Sequence, residues 1–132
     1  MLALRTVLSA VAVLAVSACS PAAGVDSPAV LGPDEAVGLL AERDDVTVID
    51  VRTPQEHAAG HLAGSRLVDI QRGDFTDRVG ELDPDGAYLL YCRTGNRTAV
   101  AAELMDELGF TEVYDAGGFD DLVQAGAEAG GT

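Results

Sequence analysis

Residues 87–108 read AYLLYCRTGNRTAVAAELMDEL, an apolar run that stops at a polar loop and resumes with a helical pattern. Ala87–Tyr91 is short and apolar, the signature of a strand buried on both faces. Thr98–Leu108 places Val100, Leu104 and Leu108 on one stripe, flanked by Ala101 and Met105, and Gly109 supplies the stop expected of an amphipathic helix. Between them, Cys92-Arg93-Thr94-Gly95-Asn96-Arg97 occupies a strand-to-helix junction.

The same alternation continues outward from this stretch. Pro33-Asp34-Glu35 starts a helix, with Pro near the first turn and acids at the positive dipole end, and Val37, Leu40 and Ala41 form its apolar stripe. Val46–Val51 (VTVIDV) is β-branched and reads as a buried strand; Pro54–Ala59 is a short helix ended by Gly60. Ser65–Ile70 is a weaker strand, and Asp74–Leu82 a helix before the turn Asp83-Pro84-Asp85-Gly86. Glu112–Tyr114 is a short strand, and Phe119–Gln124 a terminal helix. This order predicts an α/β fold, a parallel twisted sheet of about five strands with helices on both faces, which binds ligands beyond the carboxyl ends of its strands.

With 132 residues, the chain has room for one domain, and 48% apolar residues exclude a disordered chain. Twenty-two acids against eight basic residues, all of them Arg, give a net charge of −14, which excludes a general nucleic-acid binder. The two cysteines allow at most one disulfide, and no CxxC or Cys/His cluster is present to hold zinc.

The N-terminus is organised differently. Met1–Arg5 is a short basic start, and Val7–Val16 is apolar except for Ser9, too short to span a bilayer but suited to a secretory h-region. Val16-Ser17-Ala18-Cys19 resembles the lipobox of bacterial lipoproteins, in which the Cys is lipidated and becomes the first mature residue. The alternative is an ordinary signal peptide cut near Ala18, with Cys19 incidental. The expected organisation is a signal peptide over 1–18, a flexible tether over 19–30 rich in Pro, Ala and Ser, a folded domain over 31–127 and a Gly/Ala-rich tail over 128–132. The expected location is outside the cytoplasm, lipid-anchored to the bacterial cell membrane, or secreted or periplasmic if Cys19 carries no lipid.

The loop has its own chemistry. A thiol at a strand-to-helix junction faces unpaired N–H groups and partial positive charge, and two guanidinium groups lie within five residues of Cys92. Each factor favours thiolate. Gly95 and Asn96 tolerate positive φ, so the loop can curl with its amides inward into an anion-binding nest. Such a thiolate is a nucleophile for anionic substrates. The competing reading makes Cys92 a small core residue at a strand end, although Arg, Thr, Gly, Asn and Arg are a poor continuation of a buried strand.

Four segments, in order and spacing, resemble the rhodanese-like domains. CRTGNR, preceded by LLY and followed by an Ala-rich helix, resembles their active-site loop. Ile49–Glu56 (IDVRTPQE) resembles their aspartate strand end and following short helix, Ala59–Ser65 (AGHLAGS) their Gly-His-Ile-Pro-Gly-Ala turn, and Asp115–Phe119 (DAGGF) their double-glycine turn. The resemblance covers about Leu31 to Gly126. The sequence departs at Ala63, where Pro is usual, at His57, where an aromatic is common, at Leu122, a frequent Trp, and in the tail, which lacks the usual closing apolar-plus-Pro segment.

The resemblance implies a sulfurtransferase of the thiosulfate type. A sulfane sulfur moves from a small anionic donor such as thiosulfate onto Cys92 as a persulfide, then to a thiophilic acceptor such as cyanide, a thiol or sulfite. Arg93, Thr94, Gly95, Asn96 and Arg97 would bind substrate through their amides, with Arg97 assigned rather to a structural ion pair. Asp50, Arg52 and Glu56 would support the site through local Arg–carboxylate pairing. A general-base role for His57 or His61 is unnecessary, because a low-pKa thiolate attacks sulfur without proton removal. The expectation is a monomer that needs no metal, cofactor or nucleic acid. Two alternatives stand beside this: a non-turnover sulfur carrier or binding module of the same family, and a cysteine phosphatase or arsenate reductase. The C-x4-R spacing of Cys92 and Arg97 speaks against the second, because phosphatases of this design use C-x5-R to fit a tetrahedral phosphoryl group.

Overall fold

The computed structural model describes residues 26–131. The readings of a signal peptide, of the lipobox with Cys19 and of most of the tether therefore lie outside the described residues. Five parallel strands form the central sheet, β1 (Ala29–Val30), β2 (Val46–Asp50), β4 (Arg66–Leu67), β5 (Ala87–Cys92) and β6 (Glu112–Gly118), in the order β1-β6-β5-β2-β4. The two-residue β3 (His61–Leu62) pairs antiparallel with β7 (Ala129–Gly130) in a separate small ribbon. The five helices are α1 (Pro33–Glu42), α2 (Pro54–Ala59), α3 (Phe75–Val79), α4 (Asn96–Glu107) and α5 (Phe119–Gln124).

Strand alternation divides the core in two. From β5, Tyr88, Leu90 and Cys92 face α3 and α4, where they pack with Ile49, Phe75, Ala101 and Met105. Leu89 and Tyr91 face the other way, onto Ala36 of α1 and Leu122 of α5. Both clusters are closed, and β5 is buried along its whole length. Because all five strands are parallel, the carboxyl ends of β2, β5 and β6 gather at one edge, with Asp50 paired in register with Tyr91 and Cys92 with Gly118.

Several boundaries differ from the sequence reading. The buried stripe of α4 is Thr98, Ala101, Ala102 and Met105, whereas Val100 is 53% and Leu108 45% exposed. Both sets have helical spacing; the face turned to the sheet is the one that carries two alanines, whose small side chains let the helix approach closely. In α1 only Ala36 is fully buried and Ala41 is exposed. Helix α4 begins at Asn96 rather than Thr98, and β6 runs on through Gly118 because DAGG stays paired to β5 across a bulge between Leu90 and Cys92. Ser65–Ile70 contributes only Arg66–Leu67 as strand, and α3 is confined to Phe75–Val79. The tether reading ends too late: Ala29–Val30 is the edge strand β1, and the Ser27 hydroxyl accepts a hydrogen bond from the Val113 amide at 3.1 Å. The tail likewise contributes β7, with Ala63 N donating to Glu128 O at 2.8 Å.

Candidate active site

Cys92 ends β5 on the α4 face, fully buried. Only Arg93, Thr94 and Gly95 separate the strand from α4, so the chain must reverse within three residues. Gly95 makes this possible with φ +100° and serves as the helix N-cap. Asn96, expected to share the positive φ, is instead the first helical residue. The Gly95 amide donates to Cys92 Sγ at 2.9 Å. Thr98 Oγ1 lies 3.9 Å from the sulfur and donates to the Gly95 carbonyl at 2.6 Å, which holds the turn closed. Burial pushes the thiol pKa up, but hydrogen bonds from the backbone at Thr98, Gly95, Thr94 and Arg97 outweigh it and hold Cys92 below the ordinary thiol value. The arrangement is an amide nest with a sulfur at its centre.

The double-glycine turn makes room for this loop. A Cβ on Gly118 would lie 2.7 Å from the Arg93 carbonyl oxygen, and one on Gly95 would meet Gly117 Cα at 3.5 Å. The Asp115 carboxylate accepts from the Gly117 amide at 3.0 Å and fixes the bulge from the other side.

The Arg97 side chain is engaged by Glu56. Its guanidinium donates to both oxygens of Glu56, at 2.7 and 2.8 Å. Glu56 also accepts from Thr53 N and Thr53 Oγ1 at 3.0 and 3.1 Å, closing a capping box on α2. The Arg97 side chain bonded to it is what mainly lowers the Glu56 pKa, to about 2. One carboxylate thus caps α2 and ties it to the active loop.

Beneath α2 lies a buried polar cluster. Asp50 is fully enclosed and accepts from Arg52 N, Nε and Nη2 at 3.0, 2.9 and 2.7 Å, from His57 Nδ1 at 2.8 Å and from Tyr91 OH at 2.9 Å. Burial pushes its carboxyl up, but these donors, Arg52 foremost, bring it below the usual carboxylate range. Arg52 also donates to the Gly60 carbonyl at 2.6 Å and lies over the rings of Phe119 and Tyr91, 4.6 and 5.3 Å from their centroids. His57 stacks on His61 at 3.8 Å, and His61 Nδ1 bonds the His57 carbonyl at 2.8 Å. Among the described residues neither imidazole hydrogen-bonds the Cys92 sulfur.

Sequence reading missed Tyr91 and Thr98. Tyr91 was readable only as a strand residue, yet a tyrosine in a fully buried strand needs a polar partner, and that requirement was the available signal. Thr98 offered a hydroxyl in the first turn after the loop, the position from which it reaches both the Gly95 carbonyl and the sulfur. Arg93 is exposed and flanks a cavity of about 170 Å³ that is also lined by Arg52, Glu56, Ala59, Phe119 and Asp120. A larger cavity of about 470 Å³ lies among α1, β2 and Gly126–Glu128 and shares no residue with the loop.

The rhodanese-like domain family matches residues 32–125, a span that runs from the N-cap of α1 to the end of α5. The chain belongs to the rhodanese-like domain family. Among its relatives are thiosulfate sulfurtransferases GlpE: that of Pseudomonas putida is 35% identical over 89 residues, covering 67% of this chain and 79% of the relative. A GlpE of Pseudomonas entomophila is 35% identical over 91 residues, covering 68% and 80%. A tRNA uridine(34) hydroxylase of Cytophaga hutchinsonii is 34% identical over 95 residues, but the match spans only 30% of that protein. Among solved structures, the rhodanese-like domain of an Anabaena protein superposes with a TM-score of 0.69 at 23% identity, covering 77% of this chain and 78% of that one. A rhodanese-related protein of Thermoplasma volcanium gives 0.66 at 26% identity, covering 77% and 97%. The rhodanese-like parallel sheet is thus common to these proteins, and in this chain it carries the Cys92 loop at its carboxyl edge.

Proposed function

We propose that the protein is a sulfurtransferase in which Cys92 accepts a sulfane sulfur from a thiosulfate-like donor and passes it to a thiophilic acceptor. The observation that carries this reading is the buried Cys92 sulfur at the strand-to-helix turn, with the Gly95 amide donating to it at 2.9 Å and backbone hydrogen bonds holding its pKa below the ordinary thiol value. In the first step the thiolate attacks the outer sulfur of thiosulfate, and the sulfur–sulfur bond breaks with its electron pair leaving on sulfite. The terminal sulfur of the new persulfide is anionic, and the amides of the nest stabilise it as an oxyanion hole stabilises oxygen. Arg97, held by Glu56, keeps the nest in shape, while Arg93 remains at the mouth to attract the anion. The GlpE relatives are thiosulfate sulfurtransferases, which supports the choice of donor. The chain's charge of −14 disfavours a nucleic-acid substrate of the kind the hydroxylase relative's name denotes.

Thiocyanate formation from thiosulfate and cyanide tests the reading, with hydrolysis of p-nitrophenyl phosphate as the opposing assay. Thiocyanate is expected from the wild type and none from Cys92→Ser. Faster release of phosphate than of thiocyanate would replace the sulfur reading with the phosphatase one. As part of the same proposal, Cys19 carries lipid and the domain works outside the cytoplasm on a short tether.

A further inference from the structure

The cavity of about 170 Å³ beside the active loop is lined by four charged side chains, and two of them are already engaged. Glu56 is bound by Arg97 and Arg52 by Asp50. The other two, Arg93 from the loop and Asp120 from the first turn of α5, are exposed, and among the described residues neither side chain forms an ion pair or hydrogen bond. Ala59 and Phe119 supply the apolar lining between them. Gly118, next to α5, packs so closely on the loop that a Cβ there would lie 2.7 Å from the Arg93 carbonyl oxygen, so the loop and the start of α5 meet at this cavity.

We propose that this cavity seats the sulfur acceptor, and that the acceptor is a small zwitterionic thiol of the α-amino-acid class, with its carboxylate on Arg93 and its ammonium on Asp120. The inference rests on the sulfurtransferase reading and deepens it. A thiol carrying one sign of charge would satisfy one group and leave the other facing a like charge or losing water without compensation. The volume, about 170 Å³, has room for an amino acid. In the transfer step the acceptor sulfur bonds to the outer sulfur of the Cys92 persulfide. The bond between that sulfur and Sγ breaks, its electron pair returns to Cys92 as thiolate, and the thiol proton stays with the persulfide product.

The test uses protein loaded with thiosulfate, freed of excess donor and followed by intact mass as L-cysteine, cysteamine, 3-mercaptopropionate or 2-mercaptoethanol removes the sulfur at equal thiolate concentration. L-Cysteine is expected to discharge the persulfide about ten-fold faster than cysteamine or 3-mercaptopropionate, which each lack one charge-assisted contact, and faster still than 2-mercaptoethanol, which lacks both. Asp120→Asn should remove most of the advantage over 3-mercaptopropionate. Equal rates for all four thiols, or an advantage that survives Asp120→Asn, would overturn the zwitterion assignment while leaving sulfur transfer intact. A protein that never loads would overturn both.

Discussion

At the scale of single residues, the site depends on one sulfur and on two glycines that let backbone reach it. Cys92→Ser keeps the size of the side chain and its place at the end of β5, so the fold should survive and thiocyanate formation should fall to background. The lowered thiol pKa has a direct readout: the pH profile of Cys92 alkylation by iodoacetamide in wild-type protein should have its midpoint below that of a free thiol, about 8.5. A midpoint at or above that value would mean that burial outweighs the amide hydrogen bonds. Gly118→Ala sets a methyl group against the Arg93 carbonyl, which must move. The expected outcome is a stability loss of about 1–3 kcal/mol by chemical denaturation. Turnover should drop by roughly ten- to a hundred-fold, since displacements of about an ångström suffice for that.

At the scale of elements, α2 acts as a bracket between the buried Asp50 cluster and the active loop. Glu56 joins them, and its acid titration gives the bracket a measurable signature. The Glu56 pKa is depressed from 4.5 to about 2, so the folded state binds fewer protons than the unfolded one across that interval. The contribution of the pair is complete above about pH 4.5 and is lost as pH falls toward 2. Glu56→Gln should therefore cost on the order of 1–2 kcal/mol at neutral pH, after allowing for partial exposure, and flatten the acid limb of the stability profile. Asp50→Asn is expected to be harsher. It leaves the 4% exposed Arg52 without its carboxylate, a loss of about 3–5 kcal/mol in urea unfolding, with activity falling as α2 loosens. The position of α2 was legible in its Pro54 start and Gly60 stop, and so was the Arg97 ion pair as a role. Its particular partner was not, because Glu56 and Arg97 are 41 positions apart and only the parallel packing of β2 beside β5 brings them together. The Asp50–Tyr91 bond escaped reading for the same reason, as it depends on cross-strand register. The stripe of α4 was misread because large apolar residues dominate a periodicity argument, whereas helix-on-sheet packing selected the alanines.

At the scale of the whole molecule, an acidic protein carries an active loop that is free of acids. The loop Cys92–Arg97 contains two of the eight Arg residues and no carboxylate, within a chain of charge −14. With a Debye length of about 8 Å at physiological salt, a small anion senses Arg93 only when close, so the overall charge repels polyanions without excluding thiosulfate. The strand and helix order was legible along nearly the whole domain, and the family resemblance agreed with it. The two edges were not, because β1 and β7 are two-residue strands whose identity comes only from their partners, β6 and β3. Among the described residues no helix is long and apolar enough to cross a membrane; the proposed attachment is through Cys19. Cys19→Ala is expected to move the protein from the membrane fraction to the soluble one with sulfur transfer unchanged; retention in the membrane fraction would contradict the lipid anchor. The central claim is most directly tested by the mass of the Cys92 peptide after reduced protein has been exposed to thiosulfate and repurified. The expected result is one added sulfur on Cys92, with sulfite released in equal amount and the sulfur removed by cyanide as thiocyanate. An unchanged Cys92, or added mass that cyanide leaves in place, would contradict it.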